Sequence, residues 1–187
     1  MIKKIGKSLL GLSALLSALA WAGYADDRAE IENTSNRYMV AVDAGDIETV
    51  MSTWADDGVL EWVFGVEHGK EAIRKAMSGF GGARYEAVAK DATWRQRTRH
   101  QIINHVIDVK GDTAKSTAYW FAMTNRSPQG DIQFLYMGHY ADELVKRNGK
   151  WLFKSRKVFN ESRDNRKLWY PELGEVDPRT RTPPAAK

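Results

Sequence analysis

A chain of 187 residues with 43% hydrophobic content is long enough to form one domain with a buried core. It contains no cysteine, which excludes disulfide bonds, a thiolate nucleophile and a thiolate metal site. Its 28 Lys and Arg residues against 24 Asp and Glu residues give a formal net charge of +4. Much of that excess lies within the first seven residues.

Residues 1–25 have the order of a secretory signal peptide: three lysines, an apolar run from Leu9 to Ala22, and then small residues. We predict cleavage after Ala25, with Ala22 as the alternative. The apolar run is too short for an ordinary membrane span. We therefore expect an exported protein, periplasmic or secreted, without stable membrane insertion after cleavage; an uncleaved anchor is the alternative. Cleavage leaves 25 basic residues against 24 acidic ones, so binding of nucleic acid is not expected.

The first half of the mature chain has the spacing of three helices. Ile31, Tyr38 and Val42 lie on one apolar stripe at helical spacing, and Gly45 suits the end of that helix. The turn signal Asp56-Asp57-Gly58 precedes a short strand. The predicted helices cover residues 27–44, 47–54 and 69–80, and the strand covers residues 59–64.

The second half has the pattern of an antiparallel meander. Residues 97–108 are rich in β-branched side chains and are followed by the turn signal Lys110-Gly111-Asp112. Because side chains alternate along a strand, His100 and Asn104 are predicted to share one face and His105 to lie on the other. Helices followed by strands predict the α+β class, with a curved sheet that leaves a concave pocket. The further strands cover residues 113–124, 132–146 and 151–159.

We predict a single domain over residues 26–161 and a basic, proline-containing tail over residues 162–187. The tail combines four prolines with scattered Lys and Arg residues. Such a composition buries little apolar surface, so we expect the tail to be partly disordered.

The mature chain resembles the SnoaL-like branch of the NTF2-like superfamily over residues 27–160. This resemblance implies a cone-shaped barrel in which three N-terminal helices pack on a strongly curved antiparallel sheet. It does not specify a reaction, because the superfamily includes dehydratases, dehydrochlorinases, isomerases, cyclases and many non-enzymes. The matching motifs are Arg37-Tyr38, Val42-Asp43-Ala44-Gly45-Asp46, Trp54-Ala55-Asp56-Asp57-Gly58-Val59, Gly69-Lys70-Glu71-Ala72-Ile73, Arg99-His100-Gln101-Ile102-Ile103-Asn104, Gly111-Asp112-Thr113-Ala114, Gly138-His139-Tyr140-Ala141-Asp142-Glu143 and Gly149-Lys150-Trp151.

The resemblance also implies candidate catalytic residues. Asp43 and His100 match the Asp and His that scytalone dehydratase, hexachlorocyclohexane dehydrochlorinase and bile-acid 7α-dehydratase carry, and Tyr38 matches a tyrosine of the bile-acid enzyme. The chain departs from scytalone dehydratase at Val42, where that enzyme has a tyrosine. No residue of this chain corresponds clearly to the second histidine of that enzyme.

Elimination from a carbon skeleton needs a base for the departing proton and a donor for the leaving group. An imidazole has an ordinary pKa near 6.5 and can act as the base, while a carboxylate on its other nitrogen fixes the tautomer. The candidate roles are His100 as base, Asp43 as orienting carboxylate and Tyr38 as hydrogen-bond donor to a carbonyl or leaving oxygen. The alternatives are that Asp43 is a solvated helix-end residue, His100 an ordinary strand residue and Tyr38 a packing residue.

The strands and the first helices are rich in aromatic residues, and a lining of this kind suits a flat apolar ligand. Arg99 and Arg156 are candidate cations for a ligand carboxylate, the alternative being solvated strand arginines. No metal or other cofactor is expected, since the predicted faces keep His105 apart from His100. The candidate pocket residues are Trp54, Trp62, Asn104, Trp120, Tyr136, Tyr140 and Arg156.

Two functions therefore follow from the sequence. The first is an exported, cofactor-independent lyase of the dehydratase type, or an isomerase, acting on a hydrophobic ring-containing small molecule. The second is a non-catalytic module of the same fold that binds a small molecule or mediates dimerisation. For either one we expect a homodimer or a homotrimer.

Overall fold

A computed structural model describes residues 6–78, 97–125 and 129–162, with side chains from residue 23 onward. The predicted tail beyond residue 162 and part of the third predicted helix, residues 79 and 80, lie outside these ranges. The helices are α1 (Gly6–Ala44), α2 (Ile47–Ser52) and α3 (Lys70–Met77), and the strands are β1 (Trp54–Trp62), β2 (Gly65–His68), β3 (Thr98–Lys110), β4 (Thr113–Asn125), β5 (Ile132–Arg147) and β6 (Lys150–Asn160).

The six strands form one curved sheet in the order β2-β1-β6-β5-β4-β3. Consecutive strands from β3 to β6 pair antiparallel, as do β1 and β2, whereas β1 and β6 pair parallel. The α+β class, with helices packed on a curved sheet, is confirmed; the sheet is mixed rather than purely antiparallel, and it is curved but not closed. Between β1 and β6 the chain passes through α3 and the whole meander, and a parallel pair requires such a long connection.

The first helix is longer than predicted and ends as predicted. It begins at Gly6 rather than Asp27, so one helix runs through the predicted cleavage site. At its other end Gly45 has a φ of +73°, and the N–H groups of Gly45 and Asp46 donate to Val42 and Ala41, the pattern of a Schellman cap. Within the described residues, none of the helices has the length and apolarity needed to cross a membrane.

The first strand also begins earlier than predicted, at Trp54. The sequence Asp56-Asp57-Gly58, predicted to be a turn, lies inside this strand at an irregularity in its pairing with β6. A Cβ at Gly58 would lie 2.9 Å from the Trp54 ring, so glycine permits this close approach. The second strand, β2, was not predicted.

The core lies between α1 and the inner face of the sheet. Thr34 in α1 donates to the Trp151 carbonyl at 3.1 Å, and Asp27 accepts hydrogen bonds from Lys146 and from the Trp151 indole. These contacts hold α1 across the sheet and bring its C-terminal end, with Asp43, to the beginning of β3. The largest fully buried apolar side chains are Ile31, Met51, Trp54, Leu60, Ile73, Leu144, Trp151 and Phe153.

Candidate active site

The structure brings Asp43 and His100 into direct contact. Nδ1 of His100 lies 2.6 Å from Oδ1 of Asp43, and the backbone N–H of His100 donates to Oδ2 at 2.8 Å. Both carboxylate oxygens therefore bind the same residue. A backbone N–H can only donate, so Oδ2 is an acceptor and the carboxylate cannot rotate freely.

Local structure explains why these two side chains meet. Asp43 occupies the last turn of α1, just before the glycine cap. His100 lies near the beginning of β3, opposite the buried Ala122 of β4, and the small alanine leaves space for the imidazole. The His100 side chain is 18% exposed to solvent, and the Asp43 side chain is 8% exposed. The carboxylate is thus buried behind an imidazole that solvent or a ligand can reach.

Aromatic rings continue the site along the inner face. The ring centroids of His100 and Trp120 are 6.1 Å apart, and Trp120 stacks on Tyr140 at 5.8 Å. Burial raises the pKa of the Tyr140 phenol well above 10, against the lowering effect of Arg156, so this side chain stays neutral. Trp120 and Tyr140, both predicted pocket residues, are thereby assembled beside His100.

Tyr38, the predicted donor, is buried in the hydrophobic core. Its hydroxyl donates to Sδ of Met77 at 3.7 Å, and among the described residues it makes no hydrogen bond to His100 or Asp43. Its ring packs edge-on against Trp54 and Phe153. Burial raises the pKa of Tyr38, so it remains a protonated donor, and a thioether is a weak acceptor that a better one can replace.

Arg156 is neither a free pocket cation nor a solvated strand residue, in contrast to both expectations. It is buried and forms two hydrogen bonds with the carboxylate of Asp142, at 2.9 and 2.8 Å. Its guanidinium lies over the rings of Phe153, Tyr140 and Tyr38. Burial alone lowers the pKa of Arg156, but the Asp142 carboxylate outweighs it and the pKa lies above its ordinary value. A ligand carboxylate would compete with Asp142.

A bulge in β3 reverses the predicted faces beyond Ile103. Asn104 has a φ of +53° and the pairing with β4 shifts there, so His105 turns toward the interior while Asn104 is exposed. Asn104 therefore does not lie beside His100 and Asp43. The prediction that His105 lies on the face of β3 opposite to His100 is wrong. Asparagine is enriched at left-handed positions and depleted in strands, which is the signal that could have revealed the bulge.

The remaining predicted pocket residues are dispersed. Trp54 is fully buried in the core, and the half-buried Trp62 packs on Phe64 at the end of β1. Tyr136 lies opposite the buried Ala122 and packs against the core from the inner face. A groove of about 420 Å³ lies on the other side of the sheet. The exposed apolar residues of that groove are Ile103, Tyr119, Phe134 and Met137.

A second imidazole–carboxylate pair lies beside this outer groove. Nδ1 of His139 is 2.7 Å from Oε1 of Glu161, and the His139 ring stacks on Phe159 with centroids 4.6 Å apart. The His139 side chain is 3% exposed and the Glu161 side chain 22%. This pair was not predicted. In the described part of the chain no three His, Asp or Glu residues are arranged to hold a metal ion.

The comparisons with known proteins assign the family. A family model for the SnoaL-like domain matches residues 23–157, which is more than half of the chain. The protein therefore belongs to the SnoaL-like family, as its sequence motifs indicated. None of the curated proteins matches the chain significantly.

Solved structures share the fold at low sequence identity. An NTF2-like protein with a cystatin-like fold from Novosphingobium aromaticivorans has a TM-score of 0.63 at 20% identity, covering 94% of this chain and 100% of its own. A candidate scytalone dehydratase from that organism has a TM-score of 0.59 at 20% identity, with coverages of 73% and 85%. ActVI-ORFA from Streptomyces coelicolor has a TM-score of 0.59 at 20% identity, covering 73% of this chain and 98% of its own. The predicted NTF2-like fold is thus confirmed.

Proposed function

We propose that the protein is an exported, cofactor-independent lyase of the dehydratase type, or an isomerase, that acts on a hydrophobic ring-containing small molecule. The observation that carries the proposal is the contact of 2.6 Å between Nδ1 of His100 and the buried carboxylate of Asp43. Family membership and the fold shared with a candidate scytalone dehydratase support it. Export is supported by the lysines and apolar run of the first 25 residues.

In this mechanism Asp43 holds the proton of His100 on Nδ1. The lone pair of Nε2 is then directed away from the carboxylate and can accept a proton from a substrate carbon. The imidazolium that forms is stabilised by the carboxylate behind it. Tyr38, neutral and donating to the thioether of Met77, is the proposed hydrogen-bond donor to a carbonyl or leaving oxygen.

The test is an NMR titration of the His100 imidazole in the wild-type protein and in Asp43→Asn. Loss of the carboxylate removes the charged partner of the imidazole ring, so we expect the titration curves of His100 to differ between the two proteins. His100→Ala assigns the resonances. Identical titrations in the wild-type protein and Asp43→Asn would remove the proposed pair.

Glu161→Gln is the matched control. It removes a carboxylate that lies equally close to an imidazole, but on the other side of the sheet. We expect it to leave the titration of His100 unchanged. Mass spectrometry of ligand that co-purifies with the protein identifies the substrate for the activity measurements.

A second candidate function, self-association through the outer face of the sheet, is favoured by the exposed apolar side chains of Tyr119, Phe134 and Met137. A contiguous exposed patch of this kind commonly marks an interaction site. We expect a homodimer or homotrimer in sedimentation experiments. A monomer at all concentrations would exclude this function and leave the lyase proposal untouched.

A further inference from the structure

The outer groove is an apolar surface that is strongly exposed in the described part of the chain. Phe134 is 74% exposed, Met137 59% and Tyr119 54%, and all three border the groove of about 420 Å³. The ring of Phe134 also packs against that of Phe121, with centroids 5.4 Å apart. A contiguous exposed apolar patch of this kind commonly marks a surface that another segment or molecule covers.

The chain leaves the sheet at this groove. Strand β6 ends at Asn160, and the backbone N–H of Glu161 then donates to the Met137 carbonyl at 3.0 Å. The hydroxyl oxygen of Ser162 accepts a hydrogen bond from the Met137 N–H at 3.1 Å. Glu161 and Ser162 both line the groove. The residues that follow Ser162 therefore start at its edge.

One segment of the tail differs from the rest in composition. Residues 168–173 read Leu-Trp-Tyr-Pro-Glu-Leu and contain both aromatic residues of the tail. Tryptophan and tyrosine supply large apolar contact areas with one polar group each. Arg166 and Lys167 precede the segment, and the charged side chain that the described groove presents is the Glu161 carboxylate, which is 22% exposed. The segment thus complements the groove in polarity and in charge.

The length of the connection allows the segment to reach the groove. Six residues separate Leu168 from Ser162, and they can span up to about 20 Å. Met137 and Phe134 are three residues apart on β5, which corresponds to about 10 Å along the strand. A short tether also gives the segment an effective concentration in the millimolar range. It therefore competes well with a second copy of the protein at lower concentration.

We propose that residues 168–173 bind in the outer groove of their own chain, with Trp169 and Tyr170 against the exposed rings of Phe134 and Tyr119. The proposal concerns the outer face and does not depend on the inner pair or on any activity. Self-association through the outer face uses the same apolar side chains, so a second copy would have to displace the segment. The two occupants of the groove are therefore distinguishable by experiment.

The experiment is limited proteolysis of the full-length protein with trypsin, followed by mass spectrometry. The initial rate of cleavage at Lys167–Leu168, beside the segment, is divided by the rate at Arg179–Thr180, which lies beyond it. Cleavage of a transiently released segment follows the population of the released state. Phe134→Ser removes apolar contact area from the groove, so we expect this ratio to rise about tenfold in the variant.

Val106→Ser is the matched control. Val106 is 69% exposed and lies opposite Thr117, two residues before Tyr119 on the same strand, but it does not line the groove. We expect the cleavage ratio of this variant to equal that of the wild-type protein. Both cleaved bonds have the same sequence in all three proteins, so the preference of trypsin cancels.

A synthetic peptide of residues 168–175 provides a second measurement. It contains no Lys or Arg, so trypsin does not cleave it, and at millimolar concentration we expect it to displace the segment and raise the ratio in the wild-type protein. A ratio that is equal in the wild-type protein and Phe134→Ser, or unchanged by the peptide, would overturn the proposal. A wild-type ratio that falls as the protein concentration rises would also overturn it, because a second copy would then cover the groove.

Discussion

The sheet carries an imidazole–carboxylate pair on each face, and the two pairs differ in which partner is buried. On the inner face, the carboxylate of Asp43 is the more buried partner and His100 is the more exposed one. On the outer face, the ring of His139 is almost fully buried and Glu161 is the more exposed partner. The distances are nearly equal, 2.6 and 2.7 Å. Distance alone therefore does not distinguish a base from a structural histidine.

Accessibility of the imidazole distinguishes them. A general base must reach the proton that it removes, and only the inner pair presents its imidazole to a ligand. The outer imidazole is covered by Phe159, and its carboxylate faces the groove. We infer that the outer pair stabilises the junction of β5 and β6.

The largest expected effect comes from replacing His100 by alanine. His100→Ala removes the proposed base and should lower kcat/KM by about 100- to 10,000-fold, the usual contribution of general base catalysis. Its stability should also fall, because the side chain is only 18% exposed and its loss leaves Oδ1 of the buried Asp43 carboxylate without a partner; the activity is therefore compared per folded molecule. The measurements are turnover of the ligand identified by mass spectrometry and urea unfolding.

His139→Ala should lower the stability without lowering the activity. It leaves a cavity against Phe159 and removes the partner of Glu161, so we expect a loss of about 2 kcal/mol in the free energy of unfolding. The activity per folded molecule should be unchanged. Equal activity losses in the two variants would show that the two pairs do not differ in function.

The sequence was sufficient for the class of fold and for the inner pair, but not for the strand irregularities. The glycine cap of α1 and the β-branched stretch around His100 are local signals. The family resemblance, not the local signals, predicted that Asp43 and His100 would lie in one site. The parallel pairing of β1 with β6 depends on a neighbour distant in sequence, and no periodicity specifies it.

Bulges account for two further differences. If the pairing at the turn after Arg147 continued without interruption, Asp142 would lie opposite Ser155; a shift after Leu144 places it opposite Arg156 instead. Arg156, predicted as a cation for a ligand carboxylate, is therefore paired with Asp142 in a buried ion pair. The bulge at Asn104 likewise turns His105 inward. A single inserted residue exchanges the two faces of a strand, so prediction from alternation fails beyond each bulge.

The smallest expected effect concerns His105, which faces inward as His100 does; among the described residues no carboxylate is bonded to its ring. Burial lowers its pKa below the ordinary value of 6.5; Asp142 and Glu32 oppose this shift, whereas Arg156 and Arg28 reinforce it. Between the lowered pKa and 6.5 the unfolded chain binds more protons than the folded protein, so the free energy of unfolding should fall as pH decreases through this window. His105→Gln cannot titrate, and urea unfolding between pH 8 and pH 5 should therefore show a shallower dependence on pH than in the wild-type protein. Equal slopes would mean that a neighbouring carboxylate compensates the burial of this imidazole, so that His105 does not make the stability depend on pH.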